Sequence, residues 1–321
     1  MFKSILKPGK EEKVETELWF RTEMTYRQFK ALAHKLKGAD IENELINLNY
    51  FVNQLSAAKN IKLNNVEMWL KNSWNTENVL FHNKSIIQNT GQSFSMQWAF
   101  PQAYYSAFCS ILAYYKSVGF TQMSHNAVLK EFGNLLSQNK YPESLSMYTS
   151  GSKKLVKYHN IIKPKTDSSI DLNLSKPETI ENQICQFLKS TREQMSDSKA
   201  PKMKFKTKNG KTRKNLTPQM WEKVSESIGY TTIMDFLYRK RIKANYLDIE
   251  TFNAKEFKGE KVLDDLCCVI NRLNLVNEMY VAKAIGIENY QKMLEKHLKL
   301  VDNKIVGKRF ETIQVIIKTV K

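Results

Sequence analysis

The sequence predicts an all-α protein, an antiparallel helical bundle with a basic, partly irregular insertion that has room for a β-hairpin. Three observations carry this. Apolar residues recur at helical spacing through most of the chain, most cleanly at Val262, Leu266, Val269, Ile270, Leu273, Val276 and Tyr280. Residues that start and stop helices stand where such stripes begin and end. Strand-like alternation occurs at one place only, within 202–213. A chain of 321 residues can bury a core that needs no disulfide or metal staple.

Taken in order, residues 11–37 read as a helix carrying Val14, Leu18, Phe29, Leu32 and Leu36, ended by Lys37-Gly38. A second helix is expected over 41–59, where Leu45, Leu48, Phe51, Val52 and Leu55 share a face. Asn64 or Asn65 caps a third over 66–89, with Trp69, Leu70, Trp74, Leu80 and Phe81 inward and Gly91 breaking it. The fourth starts at Trp98 or Pro101, a residue suited to the first helical position, and ends at Gly119. Its tyrosines Tyr104, Tyr105, Tyr114 and Tyr115 are read as buried rings with bonded hydroxyls, and Trp69, Trp74 and Trp98 as core. Ser124 caps a fifth helix that runs to Ser137.

From 141 to 216 the composition shifts to Ser, Thr, Asn, Asp, Pro and Lys, relieved by a short helix over 177–191. Thr217-Pro218 opens a helix that Gly229 stops. Thr232 and Asp235, at capping-box spacing, open another that continues to Tyr246. The long stripe over 262–284 ends at Gly286, residues 288–300 are helical again, and 313–317 fits strand or helix equally. The segments are therefore 1–62, an N-terminal helical part; 63–140, the first part of the bundle; 141–216, a basic insertion or linker; 217–300, the second part; and 301–321, a tail.

Net charge is +18, from 50 basic and 32 acidic residues, an excess that points to a polyanionic partner, nucleic acid first. Its distribution is uneven. Between 199 and 214 stand Lys202, Lys204, Lys206, Lys208, Lys211, Arg213 and Lys214 with no acidic residue among them. Lysines alternate with Met203, Phe205 and Thr207, and Asn209-Gly210 supplies a turn, so a hairpin with one lysine face is expected. The alternative is a solvated loop.

Several classes are excluded or disfavoured. The chain has no GxxxxGK[ST], no GxGxxG after a strand, no GxSxG and no HExxH. Four cysteines (Cys109, Cys185, Cys267, Cys268) without a CxxC, and five scattered histidines, give no zinc spacing, so neither metal nor cofactor is expected. No signal-peptide core follows Met1, and the apolar run over 103–115 is short of the roughly 20 residues a spanning helix needs. A reducing cytoplasm and no membrane are the expectation.

Two places hold candidate chemistry. His125 stands just inside a helix N-terminus beside Ser124; it reads first as a locally bonded ring and second as an acid or base. On the helix over 233–248, Ile233, Phe236, Leu237 and Ala244 form an apolar side, whereas Arg241, Asn245 and Asp248 fall together on another. Arg241 offers a two-pronged phosphate grip, Asn245 an amide to orient it, and Arg239, Lys240 and Lys243 widen the positive surface. An internal Arg241–Asp248 network is the structural alternative.

The order Trp69-Leu70, AYYSAF over 103–108, the Gly119 turn, SHNAVLKEF over 124–132 and RKRIKANY over 239–246 resembles the HEPN superfamily. The resemblance covers about 65–140 and 230–300, with 141–229 as an insertion. It implies a helical bundle, often dimeric, of prokaryotic toxin and antiviral systems, whose active members are metal-independent ribonucleases with an Arg-x4-6-His motif. This chain departs from that motif, because Asn245 stands where the histidine belongs and an amide transfers no proton.

The expected function is a nucleic-acid-binding module, RNA in preference to DNA, in a defence or toxin–antitoxin assembly, as a homodimer or a subunit of a larger complex. The alternatives are a metal-independent endoribonuclease using Arg239 or Arg241 with His125, and a protein–protein scaffold.

Overall fold

The computed structural model describes residues 8–90, 96–121, 124–162, 177–207, 209–213, 215–246 and 259–320. Gly91, Lys208, Lys214 and Asp248, and the side chain of Asn245, lie outside the described residues. The fold is all-α: α1 (Pro8–Lys37), α2 (Ile41–Ile46), α3 (Leu63–Thr90), α4 (Met96–Ser117), α5 (His125–Ser137), α6 (Pro177–Lys199), α7 (Pro218–Ile228), α8 (Ile233–Tyr246), α9 (Gly259–Ile285), α10 (Ile287–Leu298) and α11 (Lys304–Thr319). One small antiparallel sheet, order β2-β1-β3, joins β1 (Tyr148–Ser150), β2 (Lys157–His159) and β3 (Thr231–Thr232). Thr149 pairs with Tyr158 on one side and with Thr231 on the other.

α4 is the central helix, packed against α3, α8 and α9 and buried along nearly its whole length. Small residues make this close approach feasible, since Ala103, Ser106, Ala107, Ser110 and Ala113 carry little bulk. The serines also bond across the helices. Ser73 Oγ donates to the Ser106 carbonyl at 2.9 Å, Asn274 Nδ2 donates to Ser106 Oγ at 2.9 Å, and Asn277 Nδ2 donates to Ser110 Oγ at 2.9 Å. Tyr104, Tyr114 and Tyr115 are buried as expected, whereas Tyr105 is 38 % exposed, and Tyr114 shares a 2.6 Å hydrogen bond with Tyr50.

Helix signals were accurate at three side-chain caps but not at Asn64 or Asn65, both of which lie inside α3 because that helix already starts at Leu63. Ser124 Oγ accepts from the Ala127 N–H, Thr217 Oγ1 from the Met220 N–H, and Asp235 from the Thr232 N–H. Gly229, at φ +71°, takes the left-handed half of the map as it ends α7. The ambiguous segment over 313–317 lies inside α11.

Further readings are corrected. The helix expected over 41–59 is broken: α2 stops at Ile46, where Asn47 turns its amide back onto the Asn43 carbonyl, and a π-helical turn follows over Tyr50–Gln54. Pro101 lies in the second turn of α4 rather than the first, at the cost of one helical hydrogen bond. Trp98 is 57 % exposed, not core, and Trp69 is half-buried; only Trp74 of the three is buried. The helix foreseen over 177–191 runs to Lys199 and packs on α1, burying Ile184, Phe187 and Leu188.

The distal end of the bundle is tied by a buried ion cluster. Arg309 of α11 grips both oxygens of Glu77 on α3, at 2.9 and 2.7 Å, and both of Glu278 on α9, at 3.1 and 2.6 Å. Tyr290 of α10 donates to Glu278 at 2.5 Å, so four helices meet at one guanidinium. Burial alone would lower the Arg309 pKa, but the two carboxylates more than offset it and hold it well above its ordinary value. Arg309→Met strands two buried carboxylates and is expected to cost about 3–5 kcal/mol, read as a lowered urea midpoint. A loss under about 1 kcal/mol would show that the cluster is not what joins α11 to the bundle.

Candidate functional site

The site is assembled around the start of α8. Thr232 ends β3, and the Asp235 carboxylate takes its N–H at 2.8 Å and its hydroxyl at 3.0 Å, while Thr232 Oγ1 accepts from the Met234 N–H. This reciprocal cap fixes the first turn. Ile233, Phe236, Leu237 and Ala244 then face the core, as the periodicity required, and leave Tyr238, Arg239, Arg241 and Ile242 half-buried at the rim.

Arg192 of α6 holds the neighbouring walls in place. It is buried and donates to five neutral acceptors: the Gly151 carbonyl at 2.6 Å, Thr149 carbonyl at 3.3 Å, Gly229 carbonyl at 2.9 Å, Thr231 Oγ1 at 3.0 Å and Ser225 Oγ at 2.8 Å. Burial lowers its pKa to about 10, partly countered by the charge of Asp235. α5 closes in from the other side through Gly133, where a Cβ would lie 3.0 Å from the Cβ of Tyr230.

Between α5, α6, α7 and α8 these contacts leave a cleft of about 530 Å³. Its cations are Lys130 of α5, Lys199 of α6, Lys202 of the short 3₁₀ turn Ala200–Met203, and Arg239 of α8. Thr191, Ser198 and Ser227 add hydroxyls, Tyr230 and Tyr238 add rings, and Asp235 is the one carboxylate among the lining residues. Arg239 is oriented by Ser190 Oγ at 2.8 Å and Thr191 Oγ1 at 3.2 Å. Lys130, Lys199 and Lys202 make no ion pair among the described residues.

Beside the cleft, sharing Tyr238 with it, lies an aromatic cluster. The guanidinium of Arg241 sits 5.5 Å from the Tyr104 ring, 5.0 Å from Tyr105 and 5.1 Å from Tyr238. His125 stacks on Phe108 at 4.5 Å, and its Nδ1 shares a 2.9 Å hydrogen bond with the Tyr104 hydroxyl. Burial, and then the charge of Arg241, lower the His125 pKa, favouring the neutral ring. Burial pushes the Tyr104 hydroxyl well above its ordinary range. His125 and Arg241, separated by 115 intervening positions in sequence, thus belong to one cluster.

The basic run is partly as expected. Thr207 N–H bonds the Lys211 carbonyl at 2.8 Å, Arg213 N–H bonds the Phe205 carbonyl at 2.8 Å, and Gly210, at φ +75°, makes the turn of a short hairpin. Lys206 and Lys211 are exposed on it, and Arg213 is half-buried. The continuous lysine face does not form. Lys202 stays in the 3₁₀ turn that Pro201 begins, and Lys204 adopts a left-handed conformation at its end, so pairing starts only at Phe205. Lys240 is also corrected: its ammonium is buried against Thr25 Oγ1 at 2.9 Å and adds nothing to the surface. Lys243 is half-buried.

Sequence reasoning missed Lys130, Lys199, Tyr230 and Tyr238 as partners of Arg239. Lys130 follows Asn126 by one helical turn, a spacing that puts both on one face, but nothing in the sequence says that this face meets α8. Among the described residues, no three His, Cys, Asp or Glu side chains gather as a metal site, and no helix is long and apolar enough to cross a membrane. No family model, curated protein or solved structure matches the chain.

Asp235 gives a pH signature. Burial raises its pKa to about 6, against the opposing hydrogen bonds of Thr232 and the charge of Arg192. Its stabilising contribution is therefore full below the ordinary aspartate range and is lost as pH rises through about 6. Asp235→Asn retains an oxygen for Thr232 and removes the dependence. Between about pH 4 and pH 7 the variant should gain on the wild type by on the order of 2 kcal/mol in urea denaturation. A gap that does not change with pH would contradict the shift.

Proposed function

We propose that this chain is a HEPN-like helical module that binds nucleic acid, RNA in preference to DNA, through the basic cleft at α8 and the hairpin beside it. The single observation that supports this best is convergence: the run over 199–214 and the Arg239 face, read separately in the sequence, meet in one cleft through Lys199, Lys202 and Arg239. Lys130, Lys199 and Lys202, which make no ion pair among the described residues, suit phosphate oxygens, and the adjoining tyrosines suit unstacked bases, which favours single-stranded RNA. The resemblance supplies the setting, a defence or toxin–antitoxin assembly in the cytoplasm, where the chain acts as a homodimer or a subunit of a larger complex.

With about five phosphate contacts, affinity for a single-stranded RNA oligonucleotide should fall roughly 100-fold between 50 and 200 mM salt. Replacing Lys204, Lys206 and Lys211 by glutamine should reduce the salt slope by about 2. Absence of binding, or binding indifferent to salt, would sink the proposal and favour the scaffold alternative.

A second reading, a metal-independent endoribonuclease, draws on the cluster of His125 with Arg241. Neutral His125 has the protonation state of a general base, and Arg241 the charge to stabilise a pentacoordinate phosphate. On this reading, RNA is cleaved in EDTA, and Arg241→Ala and His125→Ala each lower the rate at least about 100-fold. No cleavage by the wild type leaves the binding module alone standing.

A further inference from the structure

We propose that the cleft between α5 and α8 is a pocket for one phosphorylated nucleotide, either free or at the end of a strand, rather than a groove for continuous backbone. The strand-end form rests on the nucleic-acid reading above, whereas the free-nucleotide form stands without it.

Charge is the first reason. Lys130, the neighbouring pair Lys199 and Lys202, and Arg239 come from three separate stretches of the chain and converge on one cavity of about 530 Å³. With Asp235 ionised, the lining still carries three net positive charges, four cations less one carboxylate. An internal phosphodiester brings one negative charge to such a space, but a phosphomonoester brings about 1.5 to 2. The monoester is the better match. One Asp235 oxygen, Oδ2, is engaged by both donors of Thr232 at 2.8 and 3.0 Å, and the charge of the carboxylate is already counted in the net figure.

Shape and rigidity are the second. The volume lies within the range of small-molecule sites, about 300–1,000 Å³. Its two rings are held by neighbours rather than free to rotate. Tyr230 packs edge-on to Tyr148 at 5.1 Å, and Tyr238 lies 5.4 Å from Tyr104 under the Arg241 guanidinium. Stacking a base on a ring already fixed in place costs little ordering. Arg239, oriented by Ser190 and Thr191, is fixed in the same way.

The test is calorimetric titration of the full chain with 5′-AMP, 3′-AMP and adenosine, followed by RNA 12-mers ending in 5′-phosphate, 3′-phosphate or hydroxyls only. At least one monophosphate should bind about tenfold or more tighter than adenosine, and the 12-mer bearing phosphate at the same end should exceed its hydroxyl counterpart by a similar factor. Arg239→Gln should abolish that preference, bringing the ratio of phosphate-ended to hydroxyl-ended affinity to about 1, whatever it does to the hydroxyl-ended 12-mer itself. Should Arg239→Gln fail to fold, Lys130→Gln/Lys199→Gln should give the same result. If AMP binds no better than adenosine and phosphorylated and hydroxyl ends bind alike, the pocket is overturned while nucleic-acid binding survives. If no 12-mer binds but AMP does, the pocket stands and the strand reading falls.

Discussion

Arg192 is the interaction on which the architecture of the site depends. A guanidinium buried without a carboxylate in hydrogen-bond contact is costly unless its donors are satisfied, and here five neutral oxygens satisfy them. Those oxygens belong to β1, to the turn after it, to α7, to its glycine cap and to β3. One side chain on α6 therefore sets the relative position of segments spread over 149–231 in sequence. The cleft is the space left over when this arrangement meets α5 and α8. Its walls are fixed by buried polar bonds, and its charges are carried by α5, the end of α6, the 3₁₀ turn after it and α8.

The bundle supplies the other fixed reference. α4 is buried along most of its length because its small residues admit α3 and α9 closely, and its serines give the buried amides of Asn274 and Asn277 a partner. The same helix carries Tyr104, buried, and Tyr105, partly exposed, in its third turn. Their rings receive Arg241, and Tyr104 receives His125, so the aromatic cluster is an extension of the core rather than a surface accident. A site joined to a core in this way holds its geometry without ligand, which lowers the ordering cost of binding.

How much of this was legible in the sequence follows from the range of the forces involved. Caps act over three residues, so Ser124, Thr217-Pro218 and the Thr232–Asp235 pair could be read directly, as could the stripe from Val262 to Tyr280. The break after Ile46 depends on Asn47 bonding back to Asn43, a choice that competes evenly with helix and leaves the apolar pattern intact. Strands of two or three residues carry no period at all. Burial of Lys240 needs Thr25, 215 residues away, and the Arg309 cluster needs Glu77, 232 away. Arg239 and the run over 199–214 were each recognised as basic, but their meeting depends on α6 running on to Lys199 and turning at Pro201.

The central claim is that the basic run and the α8 face act as one surface, at the cleft that Arg192 builds. Hydrogen exchange of the full chain, with and without a saturating single-stranded RNA oligonucleotide, tests it most directly. Slowed exchange should concentrate over 190–213 and 226–243, with α10 and α11 unchanged. Protection confined to α10, α11 or the exposed face around Trp98, with none at the cleft, would contradict the account.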